Sequence, residues 1–297
     1  MQESAPFISV IVPTYERAGQ LSVCLSALLA QDYPLDRFEL LVVDDGSSTS
    51  PESMVAAFRD RLNVRCLTQP HAGPAGARNH GAAHAKGEVL AFTDDDCMPA
   101  PGWLRSLATG FSACSDCVLG GLTVNALTSN MYSTASQLIV DYLYAQWNSD
   151  LGRATFFTSN NFALSTRCFH AVGGFDTSWT RAAGEDRDLC DRLVSDGYRL
   201  TYVPEALVYH AHPLKFVTFW RQQFNYGRGA YRLHLLRARR VAEGIHFQPV
   251  TFYLQLLGFP FVRERSMKAL RIAGLLAIAQ AANMVGLFWE WVTGERV

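Results

Sequence analysis

The chain has 297 residues, 49% of them hydrophobic and 18% charged, and no low-complexity tract. This excludes a disordered or fibrous polypeptide and leaves room for one large core, or one core with a sizeable appendage. The net charge of −1 hides a balance of −8 over residues 1–200 and +7 over residues 201–297, so an acidic catalytic part and a basic part that meets something anionic are expected.

In chain order, Phe7–Val12 reads as a buried strand ended by Pro13. Leu21, Leu25, Leu28 and Leu29 recur at helical spacing, and Phe38–Val43 is a second strand ended by Asp44-Asp45-Gly46-Ser47. A helix near Glu52–Phe58 and a strand near Val64–Leu67 follow. The alanine-rich stretch Ala75–Lys86 suits a helix closed by Gly87, and Val89–Phe92 is a strand running straight into Asp94-Asp95-Asp96. Alternation of this kind implies an α/β protein with a mostly parallel, doubly wound sheet. Ligands of such sheets bind outside the carboxyl ends of the strands. Pro13-Thr14-Tyr15, Asp44-Asp45 and Asp94-Asp95-Asp96 all fall at such ends.

Clustered carboxylates repel one another unless a cation intervenes, and Mg²⁺ or Mn²⁺ is the natural partner of their hard oxygens. A second acidic group, Glu185-Asp186 followed by Asp188, opens an amphipathic segment that ends at Gly197. Its acids complement a helix dipole or supply a general base that takes a proton from an attacking hydroxyl. His210 and His212, after a strand-like Leu207-Val-Tyr209, are candidate metal ligands. The closest cysteine pair, Cys114 and Cys117, reads as small buried thiols, because no second pair or neighbouring histidine accompanies it. Seven scattered cysteines and no N-terminal signal peptide point to a reducing cytosol.

Beyond residue 200 the texture changes. Residues 215–240 mix aromatics with arginines, and Gly227 and Gly229 are expected to interrupt any helix. Ile272–Val292 is mainly apolar and follows Arg263, Arg265, Lys268 and Arg271. Gln280, Asn283 and Glu290 within it favour an interfacial or protein-packed helix over a bilayer span.

Together these segments resemble the family-2 glycosyltransferases, inverting enzymes of the GT-A fold that use nucleotide-sugar donors. The matching text is Ser9–Tyr15, Leu41–Ser47, Gly76–Gly81, Gly87–Asp96, Asn161–Leu164, Gly173–Asp176 and Gly184–Leu189. The resemblance implies a GT-A catalytic domain over residues 1–213 and a helical, basic and apolar extension over 214–297. It implies that Pro13, Tyr15 and Asp45 hold the nucleotide base and that Arg78 lines the pocket near the diphosphate. Asp94 and Asp96 match the outer acids of the family's D-x-D motif, with Asp94 toward ribose and metal, Asp96 on the metal and Asp95 in support. Asp186 matches the base, with Glu185 beside it, and His210 a third metal ligand in preference to His212. Gly173-Gly174-Phe175-Asp176 resembles a loop near the sugar and acceptor.

Glu16 and Cys97 depart from the family pattern at the base pocket and beside the metal. The implied partners are a nucleotide-sugar donor, a UDP-sugar above others, a divalent cation (Mn²⁺ or Mg²⁺), and a lipid-linked or polysaccharide acceptor. The tail is expected on an anionic inner membrane surface rather than on nucleic acid. A non-catalytic carbohydrate-binding scaffold is the rival from another class. A sugar nucleotidyltransferase fits less well, because Pro13–Gly19 makes a poor phosphate cradle.

Overall fold

The structure is a computed structural model that describes residues 5–179, 181, 183–241, 248–263 and 265–294. Its strands are β1 (Ile8–Thr14), β2 (Phe38–Asp44), β3 (Val64–Thr68), β4 (Val89–Phe92), β5 (Cys97–Pro99), β6 (Val118–Asn125), β7 (Phe162–Ser165) and β8 (Leu200–His210). Its helices are α1 (Ala18–Leu29), α2 (Glu52–Ala56), α3 (Gly73–His84), α4 (Trp103–Ala113), α5 (Met131–Trp147), α6 (Thr166–Ala171) and α7 (Glu185–Ser195). Beyond these come α8 (Phe216–Val241), α9 (Val250–Gly258), α10 (Pro260–Arg263) and α11 (Met267–Thr293).

Two compact units emerge: Met1–Val124 with Trp147–Ala211, and Asn125–Gln146 with His212–Val297. The second boundary lies two residues from the expected 213/214 division. Residues 125–146, expected with the catalytic part, group with the C-terminal helices instead. The reason is apolar packing: Leu138 and Tyr142 of α5 are buried in one cluster with Phe219, Leu256, Ile272, Leu276 and Ala279.

The first unit carries the sheet, in the order β3-β2-β1-β4-β7-β6-β8-β5. β1, β2, β3 and β4 are parallel to one another. Beyond them β7 runs antiparallel to both β4 and β6, and β5 runs antiparallel to β8. β1, β2 and β4 are nearly continuous apolar runs because both of their faces are covered. α1 buries Leu21, Cys24, Leu25 and Leu28 against them. α3 is built of alanine and glycine where it crosses the sheet, since a Cβ at Gly81 would press into Ile11 and Val43.

Pro13 does not end β1. It pairs with Val43 inside the strand, at a point where β1 has outrun β4, whose pairing stops at Ile11 opposite Phe92. The missing proline N–H therefore breaks no ladder bond.

Asn161, quoted above for its match to the family, has a packing explanation. Its fully buried amide accepts from Trp103 Nε1 (2.8 Å) and donates to the Leu122 and Ala206 carbonyls (3.0 and 2.8 Å). Asn161→Leu strands one donor and two acceptors, so a loss of about 3 kcal/mol or more in urea unfolding is expected at 1–3 kcal/mol for each buried unsatisfied group. An unchanged midpoint would show that these groups find other partners.

Two further expectations need correction. Cys114 and Cys117 are joined as a disulfide rather than left as thiols: the turn after α4 brings their Cα atoms to 5.3 Å, inside the bridging range. α8 runs unbroken through Gly227 and Gly229. In the second unit Gly227 meets the Asn283 backbone and Gly286 meets Phe224, so closely that any Cβ would overlap a carbonyl. These glycines let α8 and α11 approach. The contact is closed by Arg228 Nε to Glu290 Oε2 (2.6 Å) and by Asn283 Nδ2 to Gln223 Oε1 (3.2 Å).

Candidate active site

β1, β2 and β4 end on one edge of the parallel half of the sheet. Thr14 stands opposite Asp44, and the Thr93 N–H donates to the Ile11 carbonyl at 3.2 Å. The chain leaves β4 through a turn closed by Cys97 N–H to the Asp94 carbonyl (3.1 Å) and re-enters as β5, with Cys97 opposite His210 of β8. That antiparallel register is what brings His210 to the triplet: its Nε2 lies 3.3 Å from Asp96 Oδ1, and the Ala211 N–H donates to the Asp96 carbonyl at 2.8 Å.

The three acids differ in surroundings. Asp94 keeps 28% of its side chain exposed and accepts from Arg78 Nη2 at 2.7 Å. Asp95 is buried and accepts from Thr14 Oγ1 at 2.8 Å; burial pushes its carboxyl up to about 6, against the pull of Arg17. Asp96 is buried, with Oδ1 toward His210 and Oδ2 3.2 Å from Arg17 Nη1. Burial works against a charged His210, yet the hydrogen bond and charge of Asp96 raise its pKa overall. A carboxylate beside an imidazole is a donor set that suits a divalent cation of intermediate hardness such as Mn²⁺. The cysteine Sγ that follows, buried 3.9 Å from Asp96 Oδ1, adds no hard ligand. His212 begins the second unit, where its carbonyl accepts from Ser133 Oγ at 2.5 Å.

Arg78 joins the early and late motifs. Projecting from α3 and only 3% exposed, it reaches Asp94 Oδ1 with one nitrogen and Glu185 Oε1 (3.2 Å) with the other, and lies 5.4 Å over the Phe175 ring. Burial opposes its charge, but Asp94 and Glu185 raise its pKa further. The second Glu185 oxygen accepts from the Ala183 and Gly184 N–H groups at 2.9 and 3.2 Å, which fixes the start of α7. Asp186 is the acid of this pair left half-buried, with Oδ1 accepting from its neighbour Arg187 N–H at 2.8 Å. Burial first, then the Glu185 charge, push its carboxyl up to about 7. The Arg187 guanidinium is held over Trp147 and Phe156, at 5.2 and 4.9 Å from the ring centres.

At the β2 end, Asp45 is surrounded by the chain's own donors. Gln69 Nε2 (2.7 Å) and Ala72 N–H (2.9 Å) reach Oδ1, while Gly73 N–H and His71 Nδ1 (both 2.9 Å) reach Oδ2. The exposed Tyr15 ring lies 4.4 Å from that of His71. Accessible aromatic surface there belongs to these two rings.

Gly173 and Gly174 take left-handed φ of 81° and 66°. Phe175 is buried, clamped by Asn79 to its N–H and carbonyl (2.9 and 2.7 Å) and edge-on to Phe92. Asp176 caps the following turn through Ser178. Of this loop, Phe175 supports Arg78 from beneath and offers no open surface.

Sequence reasoning gave no role to Thr14, Arg17, His71 or Asn79. The available signal was position: Thr14 and Arg17 flank Tyr15 at a strand end, and Asn79 follows Arg78.

The sequence comparison decides the family. The model for glycosyl transferase family 2 matches residues 9–173, and that for glycosyl transferase family group 2 matches residues 92–292. The chain belongs to glycosyl transferase family 2. This glycosyltransferase is 28% identical over 240 residues to glycosyltransferase AglE of Haloferax volcanii, covering 80% of this chain and 77% of that one. It is 30% identical over 229 residues to validoxylamine A glucosyltransferase of Streptomyces hygroscopicus, covering 68% and 54%. The chain thus spans between about half and three quarters of the length of these curated relatives. Among solved structures, a mannosyltransferase from Pyrobaculum calidifontis in complex with GDP-Man and Mn²⁺ superposes with a TM-score of 0.65 at 21% identity, covering 99% of this chain and 77% of that one. S. aureus TarS residues 1–349 in complex with UDP-GlcNAc give 0.55 at 17%, covering 97% and 92%. These likenesses establish the GT-A fold.

Proposed function

We propose that this glycosyltransferase moves a sugar from a nucleotide-diphosphate sugar, a UDP-sugar in our reading, to an acceptor hydroxyl with inversion at the anomeric carbon. The observation that carries the reading is the Arg78 bridge, because it ties Asp94 at the end of β4 to Glu185, the chain neighbour of Asp186. Tyr15, with His71, would flank the base, while Asp45 orders the loop that carries His71. Pro13 shapes the strand end beneath them. Asp94 faces the ribose, Asp95 holds Arg17 and Thr14 in place, and Gly173, Gly174 and Asp176 set the loop that seats Phe175 under Arg78.

Asp96 and His210 would hold a divalent cation, which offsets the charge gathering on the departing diphosphate. Asp186, half-buried and raised in pKa, would take the acceptor proton on the opposite face as the hydroxyl attacks. The ligands of the solved neighbours, GDP-Man with Mn²⁺ and UDP-GlcNAc, are consistent with this donor class.

A screen of nucleotide-sugars for Mn²⁺-dependent turnover and thermal stabilisation tests the reading, since a bound donor raises apparent stability by mass action. Asp96→Ala should weaken Mn²⁺-dependent donor binding at least about tenfold in calorimetry, a loss within the range seen for weakened metal sites. An unchanged affinity removes Asp96 from the ligand set.

For the tail we propose a position on the inner face of the cell membrane, beside a lipid-linked or other membrane-borne acceptor. Among the described residues α11 is one helix long and apolar enough to cross a bilayer, by length and composition alone. In the second unit one face of it packs inward through Ile272, Leu276 and Ala279, while Leu270, Met284, Phe288 and Trp291 are exposed. Exposed Arg265, Lys268 and Arg271 stand at its start, the charge pattern of a helix lying on an anionic surface. The expected result is flotation with phosphatidylglycerol-containing vesicles, weakened by salt and by Phe288→Glu with Trp291→Glu. Protein that stays in the soluble fraction at every salt concentration removes the membrane.

A further inference from the structure

The reading above treats Arg17 only as a side chain held by Asp95, yet it touches the metal acid directly. It follows Glu16, a non-glycine residue that takes a left-handed φ of 55°. Such a conformation persists only where surroundings fix it. Here the Glu16 carboxylate accepts from Ser48 N–H (2.7 Å) and Oγ (3.0 Å), and its own N–H donates to Ser47 Oγ (2.9 Å). The result is a sharp reversal after Tyr15 that aims the next side chain at the triplet. Arg17 Nη1 stands 3.3 Å from Asp95 Oδ1 and 3.2 Å from Asp96 Oδ2. The two carboxylates are 4% exposed, whereas the Arg17 side chain is 45% exposed. A half-exposed cation on a flexible stem thus covers a buried pair of acids.

We infer that Arg17 is a positioning residue that competes with the divalent cation for Asp96, holding the acid's Oδ2 until the metal arrives with the nucleotide. The inference rests on the reading in which Asp96 is a metal ligand. A guanidinium and a divalent ion repel at the few ångströms that sharing one carboxylate requires, so each weakens the other's hold. Asp95 and Asp96 need a counter-charge when no metal is bound, because two buried acids a few ångströms apart disfavour their joint ionisation. Arg17 supplies it. When the diphosphate enters, a guanidinium released from Asp96 finds phosphate oxygens suited to its fork. Donor and metal then assist one another through Arg17, and by linkage the assistance is reciprocal.

The test is Mn²⁺ binding by calorimetry and electron paramagnetic resonance on the full chain, first without nucleotide and then with UDP or GDP, whichever stabilises wild type. Arg17→Gln should bind Mn²⁺ roughly tenfold more tightly than wild type without nucleotide, and nucleotide should tighten Mn²⁺ less in the variant than in wild type. Arg17→Lys, which keeps the charge but loses the fork, should fall between the two, and it serves alone if Arg17→Gln does not fold. Adding Asp96→Ala should cancel the gain. Equal or weaker Mn²⁺ binding by both Arg17 variants overturns the inference while leaving the metal site standing, provided wild type with nucleotide still binds Mn²⁺ through Asp96. Loss of Asp96-dependent Mn²⁺ binding in every protein removes the metal reading itself, and the inference with it.

Discussion

Asp186→Asn should bind a nucleotide-sugar as wild type does and transfer it roughly 10²- to 10⁴-fold more slowly, the usual contribution of a positioned general base. The substitution keeps the volume of the side chain and an oxygen able to accept from the Arg187 N–H, so α7 should start as before. In the proposed mechanism, what it removes is the proton acceptor. The pH profile gives an independent reading. Burial, then Glu185, push the Asp186 carboxyl up to about 7, and a base works only when ionised. kcat/KM, which reports the free enzyme, should therefore fall about tenfold per unit as pH drops below about 7, and stay level above it. An acidic limb near pH 4, where an ordinary carboxylate titrates, would place the base elsewhere. So would a near-normal rate in the variant.

Arg78→Ala should have the second large effect, on stability and transfer together. Its guanidinium is buried between Asp94 and Glu185, and removing it leaves both carboxylates without their shared partner. Deleting one member of a buried ionic group costs about 3–5 kcal/mol, and the lower end is expected here, because of the two charges left behind only Glu185 stays out of water. Urea unfolding reads that loss. Arg78→Lys should recover only part of it, since an ammonium lacks the planar fork that reaches two acids at once. A double-mutant cycle with Glu185→Gln separates the bridge from simple packing on Phe175: coupling near zero would show that the two side chains act independently. Transfer should fall in Arg78→Lys even where the fold survives, because Asp186 then loses its fixed relation to Asp94.

The sequence by itself determined the parallel half of the sheet. β1, β2 and β4 are local apolar runs covered on both faces, and such runs announce themselves without knowledge of the rest of the chain. The same locality made the carboxyl ends visible, and with them Tyr15, Asp45 and the triplet. Asp186 was legible because its acids open a helix of clear period.

Long-range geometry decided everything that separates one acid from another. Asp94, Asp95 and Asp96 are identical in sequence, yet Arg78, Thr14, Arg17 and His210 give each a different partner from a different element. Whether Gly227 breaks a helix or admits its neighbour depends on α11, some sixty residues away, so spacing alone chose the wrong outcome. Arg17 illustrates the same limit: its direction is set by a left-handed Glu16 that Ser47 and Ser48 of another loop hold in place. Residue type and period are local properties and can be read along the chain. Which charge faces which is a property of register and crossing, and only the folded sheet and its helices fix it.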